Sequence, residues 1–292
     1  MIGKTVQGYK VTAKIRDGSV GTVWKALDPE GKTVALKQIS FRKAQDPHKL
    51  KEFEREATLT RSLEHPQIIR VFDYLKVKPQ PFFVMEYFES ESLKHTIAYL
   101  PERIYQKEFQ ILRRLADALA YLHGRGIVHK DVKPENVLAG REGEIRLIDF
   151  SLAKTKWDRR LQFGKKIEGT PLYMAPEQIR GEKCDPRTDI YSFGVLAYEL
   201  LSRTAPFLAP TQDEIIRKQL EDLPASLMTH VPSASPELNA LIFQMLDKDP
   251  EKRIPEMKVV LQHLTRWEQE DTSVRLNQVA PLADKGRDAR SR

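Results

Sequence analysis

The hydrophobic period of this chain changes along its length, and that change constrains the fold more than any single motif. Over residues 9–40 apolar and polar residues alternate, with turn signals at Asp17–Gly18 and Pro29–Gly31. A period of two sends successive side chains to opposite faces of a sheet, so this stretch predicts an antiparallel meander. The expected strands are YKVTAKI, GTVWKAL and TVALKQI. Residues 46–64 carry Leu50, Phe53, Ala57, Leu59 and Leu63 behind Asp46 and Pro47, which predicts a helix with those two residues at its start. VFDYLKV and FFVMEYF follow as two further strands. From about residue 93 the pattern turns helical. FQILRRLADALAYLH (109–123) is amphipathic and is expected to stop at Gly124. DIYSFGVLAYELLS (189–202) is apolar almost all round, which predicts a buried central helix. Residues 235–247 and 254–264 predict two more helices. Strands first and helices second predict an α+β chain of two lobes. Residues 9–88 are expected to form a small antiparallel-sheet lobe with one helix, 89–267 a larger helical lobe, and 268–292 a disordered basic tail.

Bulk properties narrow the function classes. The 292 residues are ample to bury a core. A single cysteine, Cys184, excludes a disulfide framework or a Cys-based zinc site within the chain, which favours a reducing, cytoplasmic setting. No apolar run approaches the ~20 residues that cross a bilayer, and MIGKTVQGYKVTAK lacks the apolar core of a signal peptide. The formal net charge is +7, but it is not one long basic block, so a basic protein without a nucleic-acid partner is the expected reading. One local cluster stands out: Lys154, Lys156, Arg159, Arg160, Lys165 and Lys166.

Several short stretches carry chemistry. VHKDVKPENVL (128–138) packs His129, Lys130, Asp131, Lys133, Glu135 and Asn136 between apolar flanks, around a proline that neither a strand nor a helix interior accepts. It predicts a functional loop between two buried segments. Asp131 can accept a proton from a hydroxyl nucleophile, and Lys133 can steady charge on a transferred phosphoryl group. Asp149, ending the apolar run of LIDF, and Asn136 offer oxygens suited to Mg²⁺. In IRDGSVGTVWKA, Gly18 and Gly21 let backbone N–H groups approach phosphate oxygens. Lys37 in VALK can hold an anionic phosphate if an acid stands opposite, and Glu56 on the following helix is the suitable acid. Taken singly, each of these residues has an ordinary structural explanation.

Together, the ordered set G-x-x-G, VALK, Glu56, HKDVKPEN, DFS and APE (175–177) resembles the eukaryotic-type protein kinase family over roughly residues 9–265, and most closely its bacterial Ser/Thr members. The resemblance implies ATP as phosphoryl donor and Mg²⁺ as metal, with Mn²⁺ a possible substitute. It assigns Asp131 as catalytic base beside Lys133, Lys37 to the α/β-phosphates with Glu56 as its partner, and Asn136 and Asp149 to the metal. It places Ile15, Gly18, Ser19, Val20, Gly21, Val23, Ala35, Met85, Glu86, Phe88 and Leu138 around the nucleotide, with Met85 as gatekeeper and Glu86, Tyr87 and Phe88 as hinge. It also implies a Glu177–Arg253 pair and a brace from Asp189 to the catalytic loop. Lys133, two residues after the base, and GTPLYMAPE (169–177), with Thr170 near Asp131 and Lys133, are similar to the Ser/Thr-specific pattern. Ser/Thr-containing proteins are therefore the implied partners, this chain itself among the possible ones.

Three positions depart from the family pattern. Arg16 replaces the first glycine of the phosphate loop; it is expected either to crowd the ribose or to reach a phosphate, with mild weakening of nucleotide binding favoured. Ser151 replaces the DFG glycine and is expected to restrict flipping of that segment, at ~1 kcal/mol if its φ must turn positive. Lys130 replaces the Arg that commonly receives a loop phosphate through a bidentate fork. Between Asp149 and Thr170 the only hydroxyls are Ser151 and Thr155, so activity is expected not to wait on loop phosphorylation. Arg16 and Ser151 also feed a rival reading, a pseudokinase that binds nucleotide as a scaffold with little turnover. A nucleic-acid binder is a third reading that rests on net charge alone.

Overall fold

The structure is a computed structural model that describes residues 1–18, 20–155 and 171–279. The alternating region forms strands where alternation predicts them. β1 (Thr5–Val6), β2 (Tyr9–Asp17), β3 (Gly21–Leu27), β4 (Thr33–Ile39), β5 (Val71–Leu75) and β6 (Phe82–Glu86) build one antiparallel sheet in the order β1-β2-β3-β4-β6-β5. The period of two divides its side chains between faces. One face buries Val11, Ala26, Leu36, Phe82 and Val84. The other buries Ile39, Val71 and Phe83 against Phe53 and Ala57 of a helix.

That helix is α2 (Pro47–Arg61), preceded by a short turn of helix, α1 (Phe41–Ala44), that periodicity did not reveal. Asp46 caps α2 by accepting from His48 N at 2.8 Å, and Pro47 occupies the first turn, where its missing N–H costs nothing.

The second half is helical, with small strand pairs between. In order come β7 (Glu91–Ser92), α3 (Leu93–Tyr99), α4 (Glu108–Gly124), β8 (Ile127–Val128), β9 (Val137–Ala139), β10 (Ile145–Leu147) and β11 (Lys154–Thr155). Then follow α5 (Pro176–Ile179), α6 (Pro186–Ser202), α7 (Gln212–Glu221), α8 (Leu227–His230), α9 (Pro236–Met245) and α10 (Met257–Val279). As its composition predicted, α6 is buried on all sides from Thr188 to Leu200. Asp185 caps it by accepting from Arg187 N at 2.8 Å. Helix α4 presents Ile111, Leu112, Leu115, Leu119 and Leu122 to the same core.

Several boundaries differ from expectation, α6 among them, which begins at Pro186 rather than at 189. Gly124 is still helical; the left-handed turn that ends α4 falls at Gly126, with φ 71°. Helix α10 begins at Met257 and its backbone continues to Val279, past the expected stop at 264. Helices α3, α7 and α8 were not foreseen.

The architecture is the expected one: a curled antiparallel sheet lobe joined to a helical lobe. The lobes meet where Ile69 N donates to Leu147 O at 3.1 Å and Leu147 N to Gln67 O at 2.7 Å. Arg55 of α2 adds a bond to Ala153 O at 2.9 Å. Among the described residues no helix is long and apolar enough to cross a membrane.

Candidate active site

The VHKDVKPENVL stretch is a loop between β8 and β9, anchored by the buried side chains of Val132 and Val137. Its polar residues are held from below. Asp189, fully buried on α6, accepts from His129 N at 2.8 Å, from Lys130 N at 2.8 Å, and pairs with His123 Nε2 at 2.9 Å. The Lys130 contact holds that residue at φ 68°, a left-handed conformation costing a β-carbon-bearing residue ~1–2 kcal/mol. Gln178 Nε2 fixes the other side of the same residue by donating to Lys130 O at 2.9 Å. Asp131 follows directly. Its carboxylate accepts from Lys133 Nζ at 2.9 and 2.8 Å and from Asn136 Nδ2 at 2.8 Å. Asn136 Nδ2 also reaches Asp131 O at 2.9 Å. Three residues that the chain spaces two and three apart thus form one hydrogen-bonded cluster.

Across the cleft, Lys37 on β4 meets Glu56 on α2 at 2.6 Å, and the ammonium lies 5.3 Å from the centre of the Phe83 ring. Burial works against a charge on Lys37, but the Glu56 and Asp149 carboxylates outweigh it and hold the lysine above its ordinary pKa. Asp149 is therefore within the electrostatic reach of Lys37. It is also tied to Asn136, since Ile148 N donates to Asn136 O at 2.9 Å. Burial pushes the Asp149 carboxyl up, but Lys37 and hydrogen bonds from the Ser151 side chain and backbone bring it down to about 2. It stays ionised at neutral pH.

The strain in this segment sits on Asp149 rather than on Ser151. Asp149 has φ 66°, whereas Ser151 keeps a negative φ and pays none of the expected penalty. The Ser151 backbone N–H donates to Asp149 Oδ1 at 3.3 Å, and the nearby hydroxyl adds to what keeps that carboxyl low. Periodicity contains no signal for that contact.

The remaining nucleotide-lining candidates occupy the sheet face that carries Lys37. Val23 pairs with Lys37 and Ala35 with Met85, so Val23, Ala35 and Met85 share that face. Gly21 opens β3, where a β-carbon would stand 1.8 Å from Gln38 O, so no other residue fits. Gly18 N donates to Gly21 O at 2.7 Å and closes the loop. Val20 packs toward the cluster of Ile39, Phe53 and Phe83, and its carbonyl accepts from Ser40 N at 3.0 Å. Ile15 is exposed on β2, and Leu138 lies on β9 in the helical lobe's small sheet, paired with Ser92. Glu86 ends β6, where Arg146 Nε donates to its Oε1 at 2.7 Å and the Arg146 guanidinium stacks over Phe88 at 4.5 Å. Ser19, Thr170 and the loop between Thr155 and Pro171 lie outside the described residues, as do the side chains of the basic cluster.

The donor set suits a phosphate-bound hard cation. Asn136 Oδ1 accepts no hydrogen bond among the described residues, and the Asp149 carboxylate, one residue past the Ile148 N–H that Asn136 O accepts, is ionised. No group of three or more His, Cys, Asp or Glu side chains able to hold a metal occurs among the described residues. Two oxygen ligands leave room for the waters and phosphate oxygens that Mg²⁺ prefers.

Below the site, Arg253 donates to both oxygens of Glu177 at 2.8 Å, with both side chains buried, and Thr188 Oγ1 adds a bond at 2.8 Å. The expected pair is present. A second buried network was not anticipated: Lys94 Nζ donates to Glu199 at 2.7 Å and Tyr173 OH donates to the same carboxylate at 2.5 Å, tying the segment after the loop to α6. A separate pocket of about 290 Å³ lined by Leu223, Phe243, Leu246 and Lys248 shares no residue with this cleft.

Comparison with known proteins agrees with this geometry. The sequence profile of the protein kinase domain matches residues 9–265. A probable serine/threonine-protein kinase of Streptomyces coelicolor is 34% identical over 256 residues, covering 84% of this chain and 37% of its own length. The serine/threonine-protein kinase PknL of Mycobacterium tuberculosis is 34% identical over 247 residues, covering 84% of this chain and 62% of its own. A probable serine/threonine-protein kinase of Bifidobacterium longum is 31% identical over 250 residues, covering 84% and 33%. The chain therefore spans between a third and three-fifths of the length of these relatives. With its two lobes, its bonded Asp131–Lys133–Asn136 loop and its Lys37–Glu56 pair, this chain belongs to the protein kinase family.

Proposed function

We propose that this chain transfers the γ-phosphoryl group of ATP to serine and threonine hydroxyls of protein substrates, itself among them. The observation that carries this reading is Asp131, a carboxylate gripped by Lys133 and Asn136, in a cleft where Lys37 feels the ionised Asp149. Residues 9–88 and 89–267 act as the two lobes. Adenine lies against Ile15, Val23, Ala35, Met85 and Leu138, with the backbone of Glu86 and Phe88 presenting its hydrogen-bonding edge. The loop through Gly18, Ser19, Val20 and Gly21 covers the phosphates. Lys37, oriented by Glu56, takes α- and β-phosphate oxygens.

Asn136 Oδ1 and the Asp149 carboxylate would hold Mg²⁺, or Mn²⁺ in its place, which supplies charge neutralisation at the phosphate oxygens. Asp131 accepts the substrate hydroxyl proton as the new O–P bond forms and the bond to the leaving ADP oxygen breaks. Lys133 lies close enough to Asp131 to steady the phosphoryl oxygens during transfer. Its place two residues after the base, and the printed names of the relatives, support Ser/Thr substrates. ATP chemistry and one free thiol, Cys184, suit the cytoplasm. No observation in the cleft favours the scaffold reading, because all six side chains that phosphotransfer needs are present and Asp149 is held ionised.

The test is phosphotransfer from labelled ATP to a generic protein substrate, comparing wild type with Asp131→Ala. The variant should bind ATP and lose turnover by orders of magnitude. Equal turnover in the variant, or none in wild type with either metal, overturns the reading.

A further inference from the structure

Arg16 occupies a place where the family pattern has glycine, and the register of the sheet decides where its side chain goes. Strands β2 and β3 pair Lys14 with Trp24 and Arg16 with Val23, leaving Ile15 as an extra residue between them. Without that bulge, alternation would give Ile15 and Arg16 opposite faces and would not set Arg16 against Val23. With it, Arg16 stands directly across from Val23, and cross-strand partners share a face. Val23 in turn pairs with Lys37, and Lys37 with Phe83. Arg16, Val23, Lys37 and Phe83 therefore form one row across the cleft face of the sheet. Two strand spacings put the Arg16 backbone ~10 Å from that of Lys37, within reach of one long side chain meeting another over the site.

The electrostatics agree with this placement. Burial lowers the pKa of Arg16 and the Asp149 carboxylate raises it, while Arg16 in turn lowers Lys37. Its charge is thus felt by both of the residues that face the phosphates. Arg16 nonetheless makes no hydrogen bond or ion pair among the described residues, whereas Lys37 has Glu56. Its backbone is ordinary strand, without a positive φ, so the side chain adds no strain to the loop. Asp149 and Glu56 already offset the Lys37 charge, but the solvent-exposed Arg16 guanidinium has no direct partner among the described residues, so a phosphate entering the cleft meets a free donor fork beside the ammonium.

We propose that Arg16 is a phosphate-binding residue, supplying a direct guanidinium contact to the triphosphate of the nucleotide. This rests on the nucleotide reading of the cleft. It reverses the weakening expected from sequence: the lost glycine removes one close backbone approach, and a planar donor fork that binds phosphate oxygens replaces it. Because the contact is to phosphate and not to base or ribose, it distinguishes ATP from adenosine.

The experiment is calorimetric titration of the whole chain with ATP and with adenosine, in Mg²⁺ and in EDTA, for wild type, Arg16→Gly and Arg16→Lys. In EDTA, Arg16→Gly should bind ATP about tenfold more weakly, the scale of one charge-assisted hydrogen bond, with adenosine affinity unchanged. Arg16→Lys should fall between the two. An unchanged melting temperature in Arg16→Gly separates this effect from misfolding. The proposal is overturned if Arg16→Gly binds ATP as tightly as wild type, or if ATP and adenosine weaken equally. If wild type binds neither ligand, the kinase reading of the cleft fails and takes the proposal with it.

Discussion

Replacing Asp189 with asparagine should uncouple the helical core from the catalytic loop. The carboxylate uses Oδ1 to accept from Lys130 N and Oδ2 to accept from His129 N and His123 Nε2, all within 2.9 Å and away from solvent. Asparagine keeps the shape but has one oxygen. With that oxygen toward His129 and His123, the amide NH₂ confronts the Lys130 N–H, donor against donor. Two charge-assisted bonds become neutral, a loss of about 1 kcal/mol each, and one buried N–H is left unsatisfied at about 1–3 kcal/mol. The total is about 3–5 kcal/mol, which for a domain of this size lowers the melting temperature by roughly 6–20 °C.

Lys130 is held at positive φ by the lost bond, so its peptide relaxes and carries Asp131 with it. A shift approaching 1 Å in the base costs about 10²-fold in kcat. Thermal unfolding and steady-state phosphotransfer measured on one preparation of Asp189→Asn test both limbs. A melting temperature within 2 °C of wild type, or an unchanged kcat, would refute the reasoning; 2 °C is about the smallest shift that ~1 kcal/mol produces.

Three further outcomes are expected. Glu56→Gln leaves Lys37 without its charged partner, and kcat/KM for ATP should fall about 10–100-fold, the equivalent of one charged hydrogen bond; kinetics within twofold of wild type would mean that Lys37 is held by something else. Burial raises the Asp185 pKa but its bonds to Arg187 outweigh that and hold it below its ordinary value, so its contribution to stability is complete above pH ~4 and lost as pH falls through the lower folded-state pKa. Since asparagine caps a helix about as well, urea unfolding of Asp185→Asn should show less stability at pH 7 and a flatter loss on acidification, and identical curves at both pH values contradict this. Ser151→Gly frees the backbone next to Asp149, so inhibitors selective for the flipped segment should bind it more tightly than wild type; equal dissociation constants would dispose of the idea.

What could be read from sequence was what repeats or clusters. β2, β3 and β4 were legible because short runs with apolar residues at every second place lie between turn signals, although β4 buries both of its faces, and α4 and α6 differ in pattern because one is half-buried and the other wholly so. The polar loop at 129–136 was visible because buried flanks and a proline leave no other place for so many polar groups. Short helices escaped: α3 and α8 hold too few turns to show a period, and α10 carries a weak one past Leu264. Left-handed residues were invisible as well. Lys130 and Asp149 take positive φ because Asp189 and the surrounding packing hold them there, and neither residue type announces it. At Ser151 the sequence pointed to a strain penalty, while the structure shows an ordinary negative φ and puts the left-handed residue at Asp149. The face chosen by Arg16 depends on a one-residue bulge, which alternation alone places wrongly.

The central claim is that Lys37, Asp131 and Asp149 converge on one nucleotide. The most direct measurement is a crystal structure of this chain with a non-hydrolysable ATP analogue and Mg²⁺. The triphosphate should lie between Lys37 and Lys133, with metal bound by Asn136 and Asp149 and the Arg16 guanidinium on a phosphate oxygen. An analogue bound elsewhere, or a metal that touches neither Asn136 nor Asp149, would contradict the account.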